Sequence, residues 1–536
     1  MAESVKSCDP ISRQASVRKI LLTSVLLIAL FIKSGKAQPP SNSQPNILFV
    51  ISDDQSWPHA GIYGAKEIST PAFDRVAREG VLFNNAFAAA PQCSPNRAAI
   101  LTGRNIGQLE EAGTHASNFP KKFQTFPDLL EEAGYEIGYT GKGWGPGNWK
   151  YNGRKRNPAG NQYSNIQIEE RPTTSISSTD YAANFQLFFE KRDRLKPFFF
   201  WAGAYEPHLP YEKGSGIEAG KDPDQVKVPS FLPDVPVVRS DLLDYYLEIE
   251  WFDRHLGRML ALLEEQGELK NTLVVVTSDN GMPFPRAKAN LYEYGRHVPL
   301  AIRWPQLIPG GRVMHDLTSS IDLFPTFLEV AGVDIPHQVT GKSLLPVLFS
   351  EDEGIVDSTR EYVITGRERH THARPDNHGY PARSIRTQEY LYIRNFKPER
   401  WPAGNPKPEN RKDLTSGDFK SFGLGYADID AISTKSWMLK NGDESDWKHL
   451  FHLAFKKRPA EELYNINNDP GCLNNLASSS EYEPVRKYLS TKLDSILIAQ
   501  QDPRAFGYEI FESYPRYSPM RNFPGFHKRG EYNFDF

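Results

Sequence analysis

Two uncharged, apolar segments that lie far apart in the chain end in the same way. Asn46–Ser52 is followed by Asp53-Asp54, and Thr272–Ser278 is followed by Asp279-Asn280. Continuous apolar runs of this length indicate strands buried on both faces, as in parallel α/β sheets. Ligand sites in such sheets lie beyond the carboxyl ends of the strands, so the four polar residues are expected to meet. We therefore predict an α/β fold in which helices flank a large mixed sheet.

These four residues have the donor chemistry of a metal site. Two adjacent carboxylates, Asp53 and Asp54, repel each other unless a cation lies between them, and Asp279 and Asn280 add two more oxygen donors. Three acidic ligands and one amide suit Ca²⁺, with Mg²⁺ also possible, better than Zn²⁺, which prefers histidine and cysteine. The alternative for each pair by itself is a solvated turn that caps a helix.

A third motif supplies a nucleophile. The run Cys93-Ser94-Pro95-Asn96-Arg97 opens a predicted helix, with Cys93 at or just before the N-cap and Pro95 at the first helical position. The free N–H groups and the positive dipole end of a helix favour an anion, and Arg97 adds a guanidinium. The motif therefore suits attack on an anionic ester, and the alternative is a buried cysteine before an ordinary helix.

Two more predicted strands are followed by polar residues. The strand at 135–140 leads to Lys142, and the strand at 197–205 leads to a turn that contains His208. A histidine whose pKa is near neutrality can donate a proton to a leaving group. Taken singly, an isolated lysine is usually solvated and a turn histidine usually bonds to backbone. Their position after strands gives them weight.

Together these motifs resemble the type I sulfatases, in the sulfamidase-like branch of the alkaline phosphatase superfamily. The resemblance rests on C-x-P-x-R at Cys93, G-Y-x-x-G-Y-T-G-K ending at Lys142, and P-H-x-P at His208, in family order. It implies hydrolysis of sulfate esters of a sulfated carbohydrate by a formylglycine nucleophile, which a formylglycine-generating enzyme makes from the cysteine. It also implies that this residue joins the metal ligands, which would then be Asp53, Asp54, Cys93, Asp279 and Asn280.

The resemblance also implies roles for the cationic residues. Arg97, Lys142 and Lys288 are expected to neutralise the sulfate oxygens, and Arg286 is the alternative to Lys288. His208 or Lys288 is expected to assist departure of the sugar oxygen. The catalytic set is thus Cys93 with these four residues.

One position departs from the family pattern. Trp144 stands where the family usually has a histidine that helps to release the covalent sulfate. His208 and His115 are the candidates to replace that base. Asp279 is the candidate to accept the proton of the attacking hydroxyl.

The N-terminal segment has the pattern of a secretory signal. The uncharged run 20–32 follows basic residues and precedes Ala37, a plausible cleavage point. This pattern predicts an exported protein, periplasmic or secreted, and the alternative is a retained anchor. The predicted organisation is a signal peptide at 1–37, a linker at 38–45, a catalytic domain at 46–340, a smaller C-terminal α+β subdomain at 341–500 and an irregular tail at 501–536.

The C-terminal part offers candidates for substrate specificity. Between residues 361 and 404, arginine and histidine alternate with aromatic residues, a mixture that suits sulfate groups and sugar faces. Arg367 and His370 are the residues chosen from it. The alternative is a solvated surface with ordinary strand tyrosines.

The chain as a whole carries a formal charge of −3 over 536 residues, which indicates no nucleic acid and no stable membrane partner. Three rival functions remain open. They are a sulfamidase that acts on N-sulfated glucosamine, a phosphatase or phosphonate hydrolase of the same fold, and a silent sulfoglycan-binding protein. One predicted metal site disfavours the phosphatase, and Trp144 motivates the silent protein.

Overall fold

The two apolar runs form adjacent, parallel and fully buried strands, in which Ile51 pairs with Thr277 and Ser52 with Ser278. The structure is a computed structural model that describes Met1 and residues 44–374, 376, 378–406, 425–442 and 444–517. Beyond Met1, the predicted signal peptide at 1–37 lies outside the described residues, as do 38–43 of the linker and 518–536 of the tail.

The strands fall into two main sheets. They are β1 Asn46–Ser52, β2 Val81–Phe83, β3 Ala86–Phe87, β4 Glu136–Gly141, β5 Asn161–Gln162, β6 Phe198–Gly203, β7 Thr272–Ser278, β8 Leu300–Arg303, β9 Arg312–Met314, β10 Thr318–Ser319, β11 Val363–Arg367, β12 Ala382–Arg386, β13 Tyr390–Asn395 and β14 Glu461–Asn465. The large sheet has the order β5-β4-β6-β1-β7-β8-β2-β9, and the small one the order β11-β12-β13-β14.

The helices cover both faces of the large sheet. They are α1 Pro71–Arg78, α2 Cys93–Thr102, α3 Phe126–Glu132, α4 Tyr181–Lys191, α5 Ser215–Glu218, α6 Pro236–Glu265, α7 Glu293–Arg296, α8 Leu323–Val330, α9 Leu345–Leu348, α10 Ser433–Asn441, α11 Lys448–Phe455 and α12 Glu483–Ala499. Alternate side chains of β1 enter two different cores: Ile47 and Phe49 pack on one face, and Leu48 and Val50 on the other. This two-sided burial explains why the strand sequence is apolar throughout.

The large sheet is parallel where it forms the site. β4 pairs with β6, β6 with β1, and β1 with β7, all in parallel, whereas β8 is antiparallel to β7 and to β2. The four parallel strands therefore end at the same edge. This mixed sheet with flanking helices confirms the predicted α/β class, and the antiparallel sheet of β11–β14 with α12 confirms the smaller C-terminal α+β part.

Three predicted elements differ from those observed. The predicted strand 81–89 is two strands, because β2 pairs with β8 and β9 while β3 pairs with β10. The helix predicted to begin at Asp241 begins at Pro236. In α2 the N-cap is Gln92, so Cys93 is the first helical residue and Pro95 the third. None of the helices in the described part of the chain combines the length and apolarity that crossing a bilayer requires.

Candidate active site

The acidic residues from β1 and β7 meet at the shared edge of the sheet. The backbone N–H of Asp54 donates to Oδ1 of Asp279 over 3.1 Å, and Nδ2 of Asn280 donates to Oδ1 of Asp54 over 2.7 Å. Asp54 has a φ of 72°, in the left-handed region. A non-glycine residue held in this conformation is typical of a functional site, where surrounding contacts fix it. Here it directs two successive carboxylates, from Asp53 and Asp54, into one space.

Helix α2 brings Cys93 to the same space. Its thiol lies 3.8 Å from Oδ1 of Asp54 and is 1% exposed. Asn96 fixes the helix end, because its Nδ2 donates to the carbonyl of Asp279 over 2.5 Å and its Oδ1 accepts the N–H of Ala89 over 2.8 Å. The N-terminus of α2 is therefore tied directly to β7.

The donor set fits a hard divalent cation. One ligand atom from each of Asp53, Asp54, Cys93 and Asp279 lies within 4.8 Å of the others, and all four residues are buried. Oδ1 of Asp53 and Oδ1 of Asn280 are buried oxygens without a hydrogen-bond partner in the described part of the chain. Because buried acceptors are normally satisfied, these two oxygens indicate a bound cation, and oxygen donors select Ca²⁺ or Mg²⁺.

Arg97 links the strand ends to one another. Its Nε donates to Oδ2 of Asp279 over 2.7 Å, and its Nη1 donates to the carbonyl of Lys142 over 2.7 Å. Its Nη2 lies 3.8 Å from Asp53, and the side chain is fully buried. The guanidinium therefore holds residues that follow β1, β4 and β7 in place, a structural contribution that the sequence pattern did not predict.

Two lysines place positive charge against the acids. Lys142 follows β4 and pairs with Asp53. Gly141 allows this approach, because its φ is 64° and a Cβ there would lie 2.1 Å from the carbonyl of Gly203. From the opposite side, Nζ of Lys288 lies 2.6 Å from Oδ2 of Asp54.

The loop that delivers Lys288 is strained on both sides of it. Arg286 and Ala289 have φ values of 69° and 59°. The two basic residues of this loop point to different places: Lys288 enters the site, while Arg286 donates over 2.8 Å to the carbonyl of Leu453 and also to that of Cys472. Of the two alternatives raised by the sequence, the structure brings Lys288 to the acids.

Asp430 is a site residue that the sequence analysis missed. Its Oδ2 lies 3.1 Å from Nζ of Lys288. Ligand atoms of Asp54, His208 and Asp430 lie within 4.8 Å of one another. Asp430 lies on a loop between β13 and α10, and its surrounding sequence matches no motif. Only its second acidic neighbour, Asp428, hinted at a role for this segment.

The charges of the site shift one another's pKa values. Burial would raise the pKa of Asp53, but Lys142, His208 and Arg97 hold it well below its ordinary value. Burial and the charge of Asp53 raise the pKa of Asp279 to about 7. Burial and Asp53 also raise the pKa of the Cys93 thiol well above its ordinary value. The pocket is thus strongly polarised.

A cavity of about 550 Å³ opens onto these residues and includes Asp53, Lys142 and His208 in its wall. The His208 side chain is 34% exposed, and its Nε2 lies 3.8 Å from Oδ2 of Asp54. It therefore lies between the cavity and the acids. A volume of this size suits one or two sugar rings, since ligand pockets commonly span about 300–1,000 Å³.

Trp144 fills the position where the family usually has a histidine. It is 2% exposed, and its Nε1 donates to the carbonyl of Ser94 over 3.0 Å. His115 is also buried, with Nδ1 3.0 Å from the carbonyl of His370 and the two imidazole rings 4.7 Å apart. His115 thus contacts the C-terminal part, whereas His208 contacts the cavity.

The two specificity candidates lie in the interior. Arg367 is 1% exposed and donates to Oδ2 of Asp428 over 3.0 Å, and Nδ1 of His370 lies 3.7 Å from Oδ1 of the same carboxylate. Arg374 donates to that carboxylate as well, over 2.7 Å. This cluster around Asp428 packs beside the Lys288 loop, because Arg367 also contacts Asn290.

Comparison with known proteins gives consistent matches. A family model described as Sulfatase matches residues 45–333, and one described as N-sulphoglucosamine sulphohydrolase, C-terminal, matches residues 286–402. An ulvan-active sulfatase of Formosa agariphila is 27% identical over 469 residues, which cover 86% of this chain and 81% of that protein. Human N-sulphoglucosamine sulphohydrolase is 27% identical over 498 residues, which cover 85% and 91%.

A solved structure supports the fold. A protein in complex with its substrate D-glucosamine-2-N,6-O-disulfate superimposes with a TM-score of 0.61 at 22% identity, covering 86% of this chain and 99% of that one. The matches therefore extend through both sheets rather than over the large sheet alone.

Proposed function

The chain belongs to the sulfatase family, in its sulfamidase-like branch, and is a sulfuric ester hydrolase; from this premise we propose that it cleaves sulfate from a sulfated carbohydrate, using a formylglycine made from Cys93 and a bound divalent cation. One observation carries the proposal. The side chain at position 93 lies at a helix N-terminus, within 4.8 Å of carboxylate oxygens from two parallel strands. That arrangement matches attack on a tetrahedral anion.

The charged residues divide the work of holding the sulfate. Lys142 and Lys288 approach from opposite sides and are the two cations that can offset negative charge on the sulfate oxygens. Such preorganised charge is worth most in a site that excludes water. Arg97 is buried beneath them and keeps Asp279 and the Lys142 backbone in register. We assign Arg97 a positioning role, in addition to its contribution of charge.

The bound groups supply what the side chains lack. The cation, held by Asp53, Asp54, Asp279 and Asn280, acts as a Lewis acid toward sulfate oxygen, and the formylglycine supplies the hydrated aldehyde oxygen that attacks sulfur. His208 faces the cavity and is the residue placed to give a proton to the departing sugar oxygen. Ca²⁺ is the proposed ion, with Mg²⁺ as the alternative.

A second candidate activity is cleavage of the S–N bond of N-sulfated glucosamine. The match of the N-sulphoglucosamine sulphohydrolase C-terminal model to residues 286–402 favours it, because that segment includes Lys288 and Arg367. The similarity to an ulvan-active sulfatase over 86% of the chain supports O-sulfate cleavage instead. The cavity is formed by Tyr205, Glu206 and Trp144, among other residues, which allow either sugar.

We further propose that the protein is exported and depends on a formylglycine-generating enzyme. The signal pattern in residues 1–37 supports export, and Cys93-Ser94-Pro95-Asn96-Arg97 supports recognition by that enzyme. Mass analysis of the peptide that contains Cys93 tests the conversion.

Desulfation assays test the reaction. The purified protein is offered N-sulfated glucosamine, 6-O-sulfated N-acetylglucosamine and a phosphate monoester of the same sugar. We expect sulfate release from at least one sulfated sugar and little phosphate release. Phosphate release that exceeds sulfate release would overturn the proposal, as would full activity in protein whose position 93 remains cysteine.

A further inference from the structure

A second cavity, larger than the first, lies on the C-terminal side of the Lys288 loop. Its volume is about 610 Å³, and its wall includes Arg286, Lys456, Lys457, Arg458, Tyr292 and Tyr464. We call it the basic cavity. The six residues come from the Lys288 loop, the segment after α11 and strand β14, so the cavity is built where the two sheets approach each other.

The charge of the basic cavity is strongly positive. Lys456 and Lys457 are exposed, and no carboxylate of the described residues forms an ion pair with either one. The one acid in the wall, Glu462, is 2% exposed and accepts the hydroxyls of Tyr292 and Tyr464 over 2.7 Å each. Its oxygens are thus occupied by the wall and do not offset the lysines at the rim.

The floor of the basic cavity combines guanidinium groups with an aromatic ring. The guanidinium carbons of Arg286 and Arg458 lie 3.8 Å and 4.9 Å from the centre of the Tyr292 ring. Nε of Arg286 is buried and has no hydrogen-bond partner among the described residues. Fixed guanidinium groups recognise sulfate or phosphate, and aromatic rings pack against sugar faces. The composition therefore suits a sulfated sugar.

We propose that the basic cavity binds a sulfated segment of the glycan chain that is not being cleaved. The inference rests on the proposed function, since it takes the same substrate class. Arg458 connects this cavity to the site: its Nη2 donates to Oδ1 of Asn290 over 2.7 Å, and Nδ2 of Asn290 donates to the carbonyl of Lys288 over 2.9 Å. A bound chain would therefore lie next to the backbone that holds Lys288.

Binding measurements on the full-length protein test this cavity. The probes are a heparin hexasaccharide fraction and its chemically desulfated counterpart, titrated by calorimetry at low and high salt. The variant is Lys456→Ala/Lys457→Ala, and the matched control is Lys121→Ala/Lys122→Ala, another exposed lysine pair, which does not line this cavity. We expect the variant at 456 and 457 to bind the sulfated probe about tenfold more weakly, and the control to bind like the wild type.

Two further readouts separate the cavity from the catalytic site. The variant at 456 and 457 should retain the wild-type kcat/KM on a monosaccharide sulfate and the same midpoint of thermal unfolding. Lys457→Glu should weaken binding more than Lys457→Ala, because it reverses the charge. Equal affinity of variant and control for the sulfated probe would overturn the proposal, as would equal affinity of the wild type for both probes. Failure of the proposed function would instead appear as no sulfate release by any of these proteins.

Discussion

Replacing Lys288 by methionine removes the charge that two carboxylates share. Its Nζ lies 2.6 Å from Asp54 and 3.1 Å from Asp430, and its side chain is 4% exposed. At an effective dielectric constant of about 20, unit charges at these distances attract by roughly 5–6 kcal/mol each before desolvation is counted. Breaking one partner of a buried pair costs about 3–5 kcal/mol. We expect Lys288→Met to lower the free energy of unfolding by about 3 kcal/mol in chelator.

A double-mutant cycle shows which carboxylate depends on the lysine. Asp54 gains the cation as a second positive neighbour when metal is added, whereas Asp430 depends on Lys288. Unfolding by denaturant is measured for the wild type, Lys288→Met, Asp430→Asn and the double variant, with Ca²⁺ and with chelator. We expect a coupling free energy between the two positions of about 1–3 kcal/mol that persists with Ca²⁺.

The same variants test the role of the lysine in catalysis. Loss of one preorganised charge at a reacting anion typically lowers the rate about 100-fold to 1,000-fold, so kcat/KM of Lys288→Met on a sulfated sugar should fall by that factor. Lys288→Arg keeps the charge and is the control. A coupling below about 0.5 kcal/mol, together with wild-type kcat/KM for Lys288→Met, would refute the reasoning.

Three further outcomes follow from the site. Cys93→Ala should abolish sulfate release while the protein stays folded by circular dichroism, and residual turnover at the wild-type rate would contradict the assignment of the nucleophile. Exhaustive chelation should abolish sulfate release and lower the midpoint of thermal unfolding, and Ca²⁺ should restore both; activity that survives chelation would exclude the cation site around Asp53 and Asp279. His208→Ala should lower kcat about 100-fold or more on a sugar sulfate, but much less on an activated aryl sulfate whose leaving group needs no proton; equal losses would exclude proton donation.

The strand ends were predictable because their physical causes are local. A strand that is buried on both faces must be apolar throughout, so Asp53 and Asp279 mark the exact points where β1 and β7 leave the core. Parallel neighbours end at one edge, and this rule placed Lys142 beside them before any coordinates were considered. The sequence therefore located the oxygen ligands and the helix that begins at Cys93, within one residue of its observed start.

The residues that were missed depend on long-range packing. Asp430 reaches Lys288 from a loop that lies more than a hundred residues later in the chain, and its neighbours carry no periodic signal. The burial of Arg367 and His370 was equally hidden, because alternating basic and aromatic residues are expected both at a sugar-binding surface and in an interior ion-pair cluster. Asp428, which turns these residues inward, is separated from Arg367 by 61 positions.

The loop from Arg286 to Asn290 connects the catalytic site to the C-terminal part. Left-handed residues at 286 and 289 place Lys288 against Asp54 while Arg286 faces the opposite side and lines the basic cavity. The C-terminal part contacts this loop at two points, through Asp430 at the lysine and through Arg458 at Asn290. Since the sheet edge fixes the acids, changes in the C-terminal part can alter which sugar is accepted without moving them. We therefore expect substrate choice to depend on residues after β10, and bond cleavage on residues before it.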